Sequence, residues 1–245
     1  RGLYHCGQLN GTSGYEEAAA QGLVAGINAA LAACGREPLQ LARSQAYIGV
    51  LIDDLVSKGV DEPYRMLTSR ADQRVVLRHD NADSRLTPVA REIGLVSDAS
   101  WERYRRCAQA LHDAHLQADS TRTGVWAIRG QPLSAGASVA DALRRPGVEF
   151  EDVAALLPGI EPPIGERLAI EVRLDGYARR EELAIEKAAR NEAARLPRGL
   201  DYSSLTALSR EAREKLTARR PATLGAASRI PGVTPADVAI LSLYA

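Results

Sequence analysis

Three glycines fall within one short stretch, Gly7, Gly11 and Gly14, and an Ala-rich run of helical composition begins directly behind them. That junction constrains the chain more than any other feature. The apolar run of residues 1–7 predicts a buried strand. Asn10, Thr12 and Ser13 between the glycines predict a loop. Tyr15 to Cys34 predict a helix that stops at Gly35. Ala19, Gly22, Gly26 and Ala29 line one face of that helix, although a glycine inside a helix costs about 1 kcal/mol. Close approach to a sheet would account for two of them. A strand, a glycine loop and a helix in this order aim the helix start at whatever lies beyond the strand. The unpaired N–H groups and dipole there favour an anion, and small residues let the backbone approach a flat ligand. The pattern alone is equally that of a plain glycine turn before a helix.

Further along, apolar residues recur at helical spacing. Aromatic residues make up only 4% of the 245-residue chain, so aliphatic and Ala-rich helix packing carries the core. The length suits one large domain or two small ones and is enough to bury a real core. Tyr47, Val50, Leu51 and Leu55 predict a helix over 43–58. Residues 60–91 are irregular, with possible strand pieces at 66–67 and 75–77 and a turn at Asp80–Asp83. Trp101, Tyr104, Ala108 and Leu111 mark a helix, 123–136 a loop, and Val139–Arg145 a short helix ending before Pro146. Phe150–Leu157 predicts another helix. A long one over Ile164–Arg195 has Ile170, Leu174, Tyr177, Ala184 and Ala188 along one side. The tail, 201–245, predicts three or four short helices. Ser209 caps one, Leu224–Ile230 forms another, and Thr234 with Pro235 opens the last. The chain opens inside an apolar run and stops inside an apolar helical pattern, so both ends read as cut.

The bulk numbers exclude several classes. A formal net charge of +0 confines any nucleic-acid contact to a local patch. Cys6, Cys34 and Cys107 are odd in number and scattered, which argues against a disulfide framework or a zinc site and for a reducing, cytoplasmic compartment. Cys6 reads as a small buried hydrophobe or, beside a redox cofactor, as a thiol with redox chemistry. No apolar run reaches the roughly 20 residues of a membrane span. His112 and His115 have no third ligand at a recognisable distance, and His115 falls on an apolar helical face. Asp53 and Asp54 are adjacent and do not share a helix face. Neither a metal site nor a catalytic residue is predicted.

One segment is rich in arginine. Arg65, Arg70, Arg74, Arg78, Arg85 and Arg91 lie within 65–91, where the planar guanidinium suits phosphate. If this stretch is helical, Arg70, Arg74 and Arg78 share a face. Tyr64 and His79 could stack on unpaired bases. On charge alone the stretch is also a solvated face, because Arg outnumbers Lys throughout the chain and Asp72, Asp80 and Asp83 sit among these six.

The string Gly7-Gln8-Leu9-Asn10-Gly11-Thr12-Ser13-Gly14-Tyr15-Glu16-Glu17-Ala18-Ala19-Ala20-Gln21-Gly22 resembles a signature of the GidA (MnmG) family of tRNA-modifying flavoproteins. Ala46 to Leu55, Glu62 to Ala71, Asp80 to Asp83 and Arg220 to Ala236 continue the resemblance, which thins over 115–165. It implies a mainly α fold with a small α/β N-terminal piece: the remnant of a two-dinucleotide-binding FAD domain, followed by an all-helical C-terminal domain. Residues 1–40 would be the strand–loop–helix of the FAD domain, 41–160 a mostly helical tRNA-contacting region, and 161–245 a helical domain that docks a partner GTPase of the MnmE family. Gln8 matches the family's FAD-contacting glutamine, with Asn10, Gly11, Thr12 and Gly14 as neighbours. Arg65, Arg74 and Arg78 match positions that hold tRNA. Where the family has an aromatic residue after Ser69-Arg70-Ala71, this chain has Asp72 and Gln73, which weakens a stacking role there. The implied activity is addition of a carboxymethylaminomethyl group to carbon 5 of the wobble uridine. It would use FAD, NADH and methylene-tetrahydrofolate in a homodimer of full-length chains, the isolated piece being inactive. Two other readings stand beside it. One is a non-enzymatic helical module binding tRNA or protein. The other is a related folate-dependent tRNA methyltransferase flavoprotein, which lacks a tail like that from 163 on. Ile230-Pro231-Gly232-Val233 further suggests either a helix–hairpin–helix turn that binds nucleic-acid backbone or a buried helical corner.

Overall fold

The computed structural model describes residues 2–57, 59–60 and 62–245, apart from the side chains of Asn191 and Glu192. It is mainly α, as the sequence implies. The helices are α1 (Tyr15–Ala33), α2 (Tyr47–Ser57), α3 (Ala82–Glu92), α4 (Asp98–Ser120), α5 (Val139–Leu143), α6 (Pro162–Ala193), α7 (Arg210–Arg219), α8 (Leu224–Ser228) and α9 (Pro235–Leu241). Among the described residues the sheet is a single antiparallel pair, β1 (Ala127–Ile128) and β2 (Gln131–Pro132), with Ala127 opposite Pro132. The chain forms two compact units. One comprises 1–40, 48–67 and 181–245, the other 41–47 and 68–180.

Boundaries follow local chemistry. Ser97 caps α4 by accepting from the Ser100 amide. Ser138 opens α5 with a capping box: its hydroxyl takes the Asp141 N–H, and Asp141 takes its own. Ser209 and Thr234 cap α7 and α9, with Pro235 in the first turn of the latter. Gly35 follows α1 in the left-handed conformation, with the Arg36 N–H donating to the Leu31 carbonyl at 2.8 Å.

The second unit has a dense aliphatic core. Val139, Leu143, Val148, Val153 and Leu168 are fully enclosed, with Leu111 and Ala118 of α4 and Val172 of α6 beside them. Phe150 lies against Gly165 so closely that a Cβ there would stand 2.3 Å from the ring. That contact explains a glycine inside α6 despite its cost of about 1 kcal/mol. Within the first unit, residues 196–241 form a separate core around Leu208, Leu216, Leu224, Ala227 and Leu241.

Several expectations change. Residues 2–6 are exposed and form no strand, because a strand exists only by hydrogen bonding to a neighbour and these residues meet no partner strand among the described residues. Nor do 66–67 or 75–77 form strands. Residues 74–76 are a turn, and 82–92, counted among the irregular residues, form α3. Arg70 ends a 3-10 turn, so Arg70, Arg74 and Arg78 share no helix face. The helix expected at 43–58 begins at Tyr47; Lys58 lies outside the described residues. The loop at 123–136 contains the β1–β2 hairpin. Phe150–Leu157 is two 3-10 turns. α6 buries Gly165, Leu168, Ala169 and Val172, whereas Ile170, Tyr177, Ala184 and Ala188 are exposed. Two apolar stripes run along that helix, and the core takes the shorter one. Cys6 is exposed rather than buried. Gly232 packs on Glu211 and Lys215, and the Lys215 ammonium donates to the Pro231 carbonyl at 2.6 Å. Lys215 thus steadies the Ile230–Val233 turn, in which Pro231 and Gly232 remain exposed.

Candidate functional site: the glycine turn and the arginine segment

Gly7–Asn10 form a single 3-10 turn that ends at Gly11, and the chain then enters α1 through Gly14. Side chains hold the turn in shape. The Asn10 amide donates to Gln21 Oε1 at 2.8 Å and to the His5 carbonyl at 3.1 Å. The Gln21 amide donates to Thr12 Oγ1 at 2.9 Å. Thr12 is 3% exposed, so its hydroxyl serves the turn and not the surface. Gln8, by contrast, is exposed. Thr12 and Tyr64 form a one-residue parallel bridge, closed by the Tyr64 N–H to the Gly11 carbonyl and the Ser13 N–H to the Tyr64 carbonyl. The structure divides the residues that the sequence singles out here: Asn10 and Thr12 brace the turn, while Gln8 is exposed.

The start of α1 has no side-chain cap, and the Tyr15 and Glu16 amides have no acceptor among the described residues. Two acids lie in its first turn. Glu16 is exposed. Glu17 is buried, and the Met66 N–H donates to its Oε1 at 2.7 Å. The Met66 amide, Glu17's own amide and the Arg65 guanidinium hold this carboxyl below the usual carboxylate range, outweighing burial. Sequence reasoning missed Glu17. The signal was its place in the first turn after an uncapped glycine.

Around this turn the surface is apolar. Leu9 is 79% exposed and Tyr15 94%, with Leu3 and Leu23 also bare. Among the described residues nothing lies within 4 Å of a Cβ placed on Gly26, and one on Gly22 would meet Cys6 Sγ at 3.9 Å, so the small-residue face of α1 is only thinly covered. An open cleft lined by Tyr4, Asn10, Gln21, Val24, Ile52 and Leu55 runs beside it.

The arginines serve different ends. Arg65 belongs to the first unit, is 64% exposed and stands 3.9 Å from Glu17. Arg74 and Arg78 belong to the second. Arg74 is exposed on a turn. Arg78 is 14% exposed and locked: it donates to Asp80 at 3.0 Å and to the Val75 carbonyl at 2.6 Å. Arg85 donates to the carbonyls of Gln45 and Arg78, and Arg91 to the Val96 carbonyl. Arg78, Arg85 and Arg91 therefore tie loops together. Tyr64 is buried and donates to Asp54 Oδ2 at 2.8 Å, so it cannot stack on a base. His115, half-buried, bonds Glu171 at 2.9 Å. No group of three metal-ligating side chains occurs among the described residues.

Three family models match: "Glucose inhibited division protein A" over 1–37, "tRNA modifying enzyme MnmG/GidA C-terminal helical domain" over 98–182 and "tRNA modifying enzyme MnmG/GidA C-terminal helical bundle" over 184–245. The chain belongs to the GidA/MnmG family. It is 48% identical to a protein of Heliobacterium modesticaldum and 46% identical to one of Lacticaseibacillus paracasei, both called tRNA uridine 5-carboxymethylaminomethyl modification enzyme MnmG. Each comparison covers 99% of this chain and 40% of the relative. The crystal structure of Aquifex aeolicus GidA in form II is similar over 100% of this chain and 40% of its own, with TM-score 0.77 and 42% identity. The chain thus spans about 40% of the length of the relatives it matches.

Proposed function

We propose that this chain supplies one wall of a flavin site and part of a tRNA surface in an enzyme that modifies carbon 5 of the wobble uridine. The observation that carries the reading is the braced glycine turn, set before an uncapped helix start and flanked by bare apolar side chains. Large exposed apolar patches mark surfaces that something else covers. The remainder of an FAD domain, with FAD between, suits this one.

The residues fit such a group. Gln8 offers an outward carboxamide, and the Tyr15 and Glu16 amides present donors at the positive end of α1, while Gly11 and Gly14 would give only backbone to the wall, since Val60 and Glu17 take the space a Cβ would need there. Asn10 and Thr12 hold the turn through Gln21. Bound FAD would supply the hydride carrier. The amides would counter negative charge on its reduced ring. Arg65 and Arg74 would contact tRNA phosphates, with Arg78 holding the second loop. Residues 161–245 would dock a partner GTPase of the MnmE family, and the full-length protein would act as a cytoplasmic homodimer using NADH and methylene-tetrahydrofolate. The domain division 1–40, 41–160 and 161–245 is kept in this functional sense.

Flavin retention tests the proposal. In a protein of full family length, FAD is expected to co-purify and Gln8→Ala to lower the retained fraction, read by absorbance. Undiminished retention would remove Gln8 from the site. A second reading, a binding module that acts without chemistry, is favoured by the two aliphatic cores complete within this chain. It would hold if full-length protein lacked flavin yet retarded tRNA in a gel.

A further inference from the structure

A buried carboxylate joins the glycine turn to the segment that carries Arg65. Glu17 is 5% exposed in the first turn of α1. Its Oε1 accepts the Met66 N–H at 2.7 Å. Its Oε2 is buried with no hydrogen-bond partner among the described residues. That oxygen lies against Gly14, where a Cβ would stand 1.7 Å away. Two backbone bonds run alongside: Tyr64 N–H to the Gly11 carbonyl at 2.8 Å and Ser13 N–H to the Tyr64 carbonyl at 3.2 Å.

The cost of this arrangement is the clue to its use. Burying a carboxylate with few donors is unfavourable, and an apolar side chain of similar volume would fill the space more cheaply. What the carboxylate secures is the backbone on one side of Arg65, the glycine turn holding the other. Tyr64 is fixed by Gly11 and Ser13, and its hydroxyl is fixed by Asp54. Met66 is fixed by Glu17. Arg65 lies between them with its guanidinium outward and its Nε 3.9 Å from Glu17 Oε1. A long arginine loses rotamer freedom when it binds phosphate, so a fixed root reduces what binding must still order.

We infer that Glu17 is a positioning residue for RNA binding, setting through Met66 where the Arg65 guanidinium meets a phosphate. The inference rests on the reading of Arg65 as an RNA contact. One carboxylate then sets the glycine turn and the RNA contact in a common frame.

Affinity for an unmodified tRNA transcript, followed by fluorescence anisotropy with this chain, tests it. Arg65→Ala should weaken binding about 5- to 10-fold and flatten its salt dependence by about one phosphate contact. Glu17→Ala should weaken it as much. Glu17→Gln keeps a carbonyl acceptor for the Met66 amide and should restore affinity to within about twofold. In the Arg65→Ala background, Glu17→Ala should add almost nothing, because both changes remove one interaction. If Glu17→Ala fails to fold, Glu17→Asp, which falls short of the Met66 amide, takes its place. Wild-type affinity in Glu17→Ala while Arg65→Ala is weakened would overturn the inference, as would a full additional loss in the double variant. No binding by the wild-type chain, or an unaffected Arg65→Ala, would remove the RNA reading of Arg65 and the inference with it.

Discussion

The first 40 residues and the second unit are built on opposite principles. In the second unit, α4, α5 and α6 enclose an aliphatic core whose central members are fully excluded from water. In residues 2–40 the buried aliphatic side chain is Leu31, and the enclosed groups around the turn are Thr12, Glu17 and Gln21. The large apolar groups of that region, Leu3, Leu9, Tyr15 and Leu23, face outward. One region holds itself by apolar burial. The other is held by a directed polar network and offers its apolar surface to something else. If this segment forms one wall of a flavin site, as proposed, that surface is not available to a core of its own.

The largest effect that tests this contrast is core truncation. Leu168→Ala, at a fully enclosed position, should cost about 2–5 kcal/mol in denaturant unfolding. Leu31→Ala should fall at or below the low end of that range, having fewer enclosing neighbours to lose. Equal costs at the two sites would break the comparison. Acid should separate the regions next. The Glu17 carboxyl is held below its ordinary value of 4.5 and that of Asp141 below 3.8, each chiefly by a backbone amide donor. A depressed folded-state pKa contributes stability that is fully present above the ordinary value and lost as pH falls through the lower, folded one. Below about pH 4 the Met66 amide should therefore exchange with solvent before the α4–α6 amides, as the turn has little apolar burial to fall back on. Hydrogen exchange that quickens first in the core would reverse the contrast. The smallest effect sharpens it: Leu23→Ser should leave stability within about 0.5 kcal/mol, as its side chain, 53% exposed, has little burial to lose. A clear drop in melting temperature would mean that Leu23 is covered within this chain.

How much was legible in the sequence follows the same line. Helix caps were readable, because Ser209 and Thr234 announce themselves by residue type and by the acid or proline behind them. The glycine turn was readable from spacing and spelling. The strand expected at 1–7 was not, since its apolarity says that something covers it without saying whether that partner lies in this chain. α3 was hidden because its Pro88 argues against a helix and its few apolar residues, Leu86, Val89 and Ala90, sit among arginines and acids even though they recur at helical spacing. The buried face of α6 was misjudged because Ile170 and Leu174 compete on equal terms with Leu168 and Val172 until packing decides. Arg78 and Arg85 look like phosphate ligands in sequence, and only coordinates reveal that carbonyls and Asp80 occupy them. Charge is visible in a sequence; its prior engagement is not.

Asp237 carries a consequence for how the tail folds. Its carboxylate accepts the Thr234 amide at the start of α9 and the Ser209 amide at the start of α7, each at 2.9 Å. Burial would raise its pKa, but the donors from Thr234 and Ser209 outweigh that and keep it ionised. Two helix beginnings 25 residues apart (Arg210 and Pro235) thus share a single latch. Fraying of either start removes a contact from the other, so the last 40 or so residues are expected to melt together, which hydrogen exchange would read as one protection class.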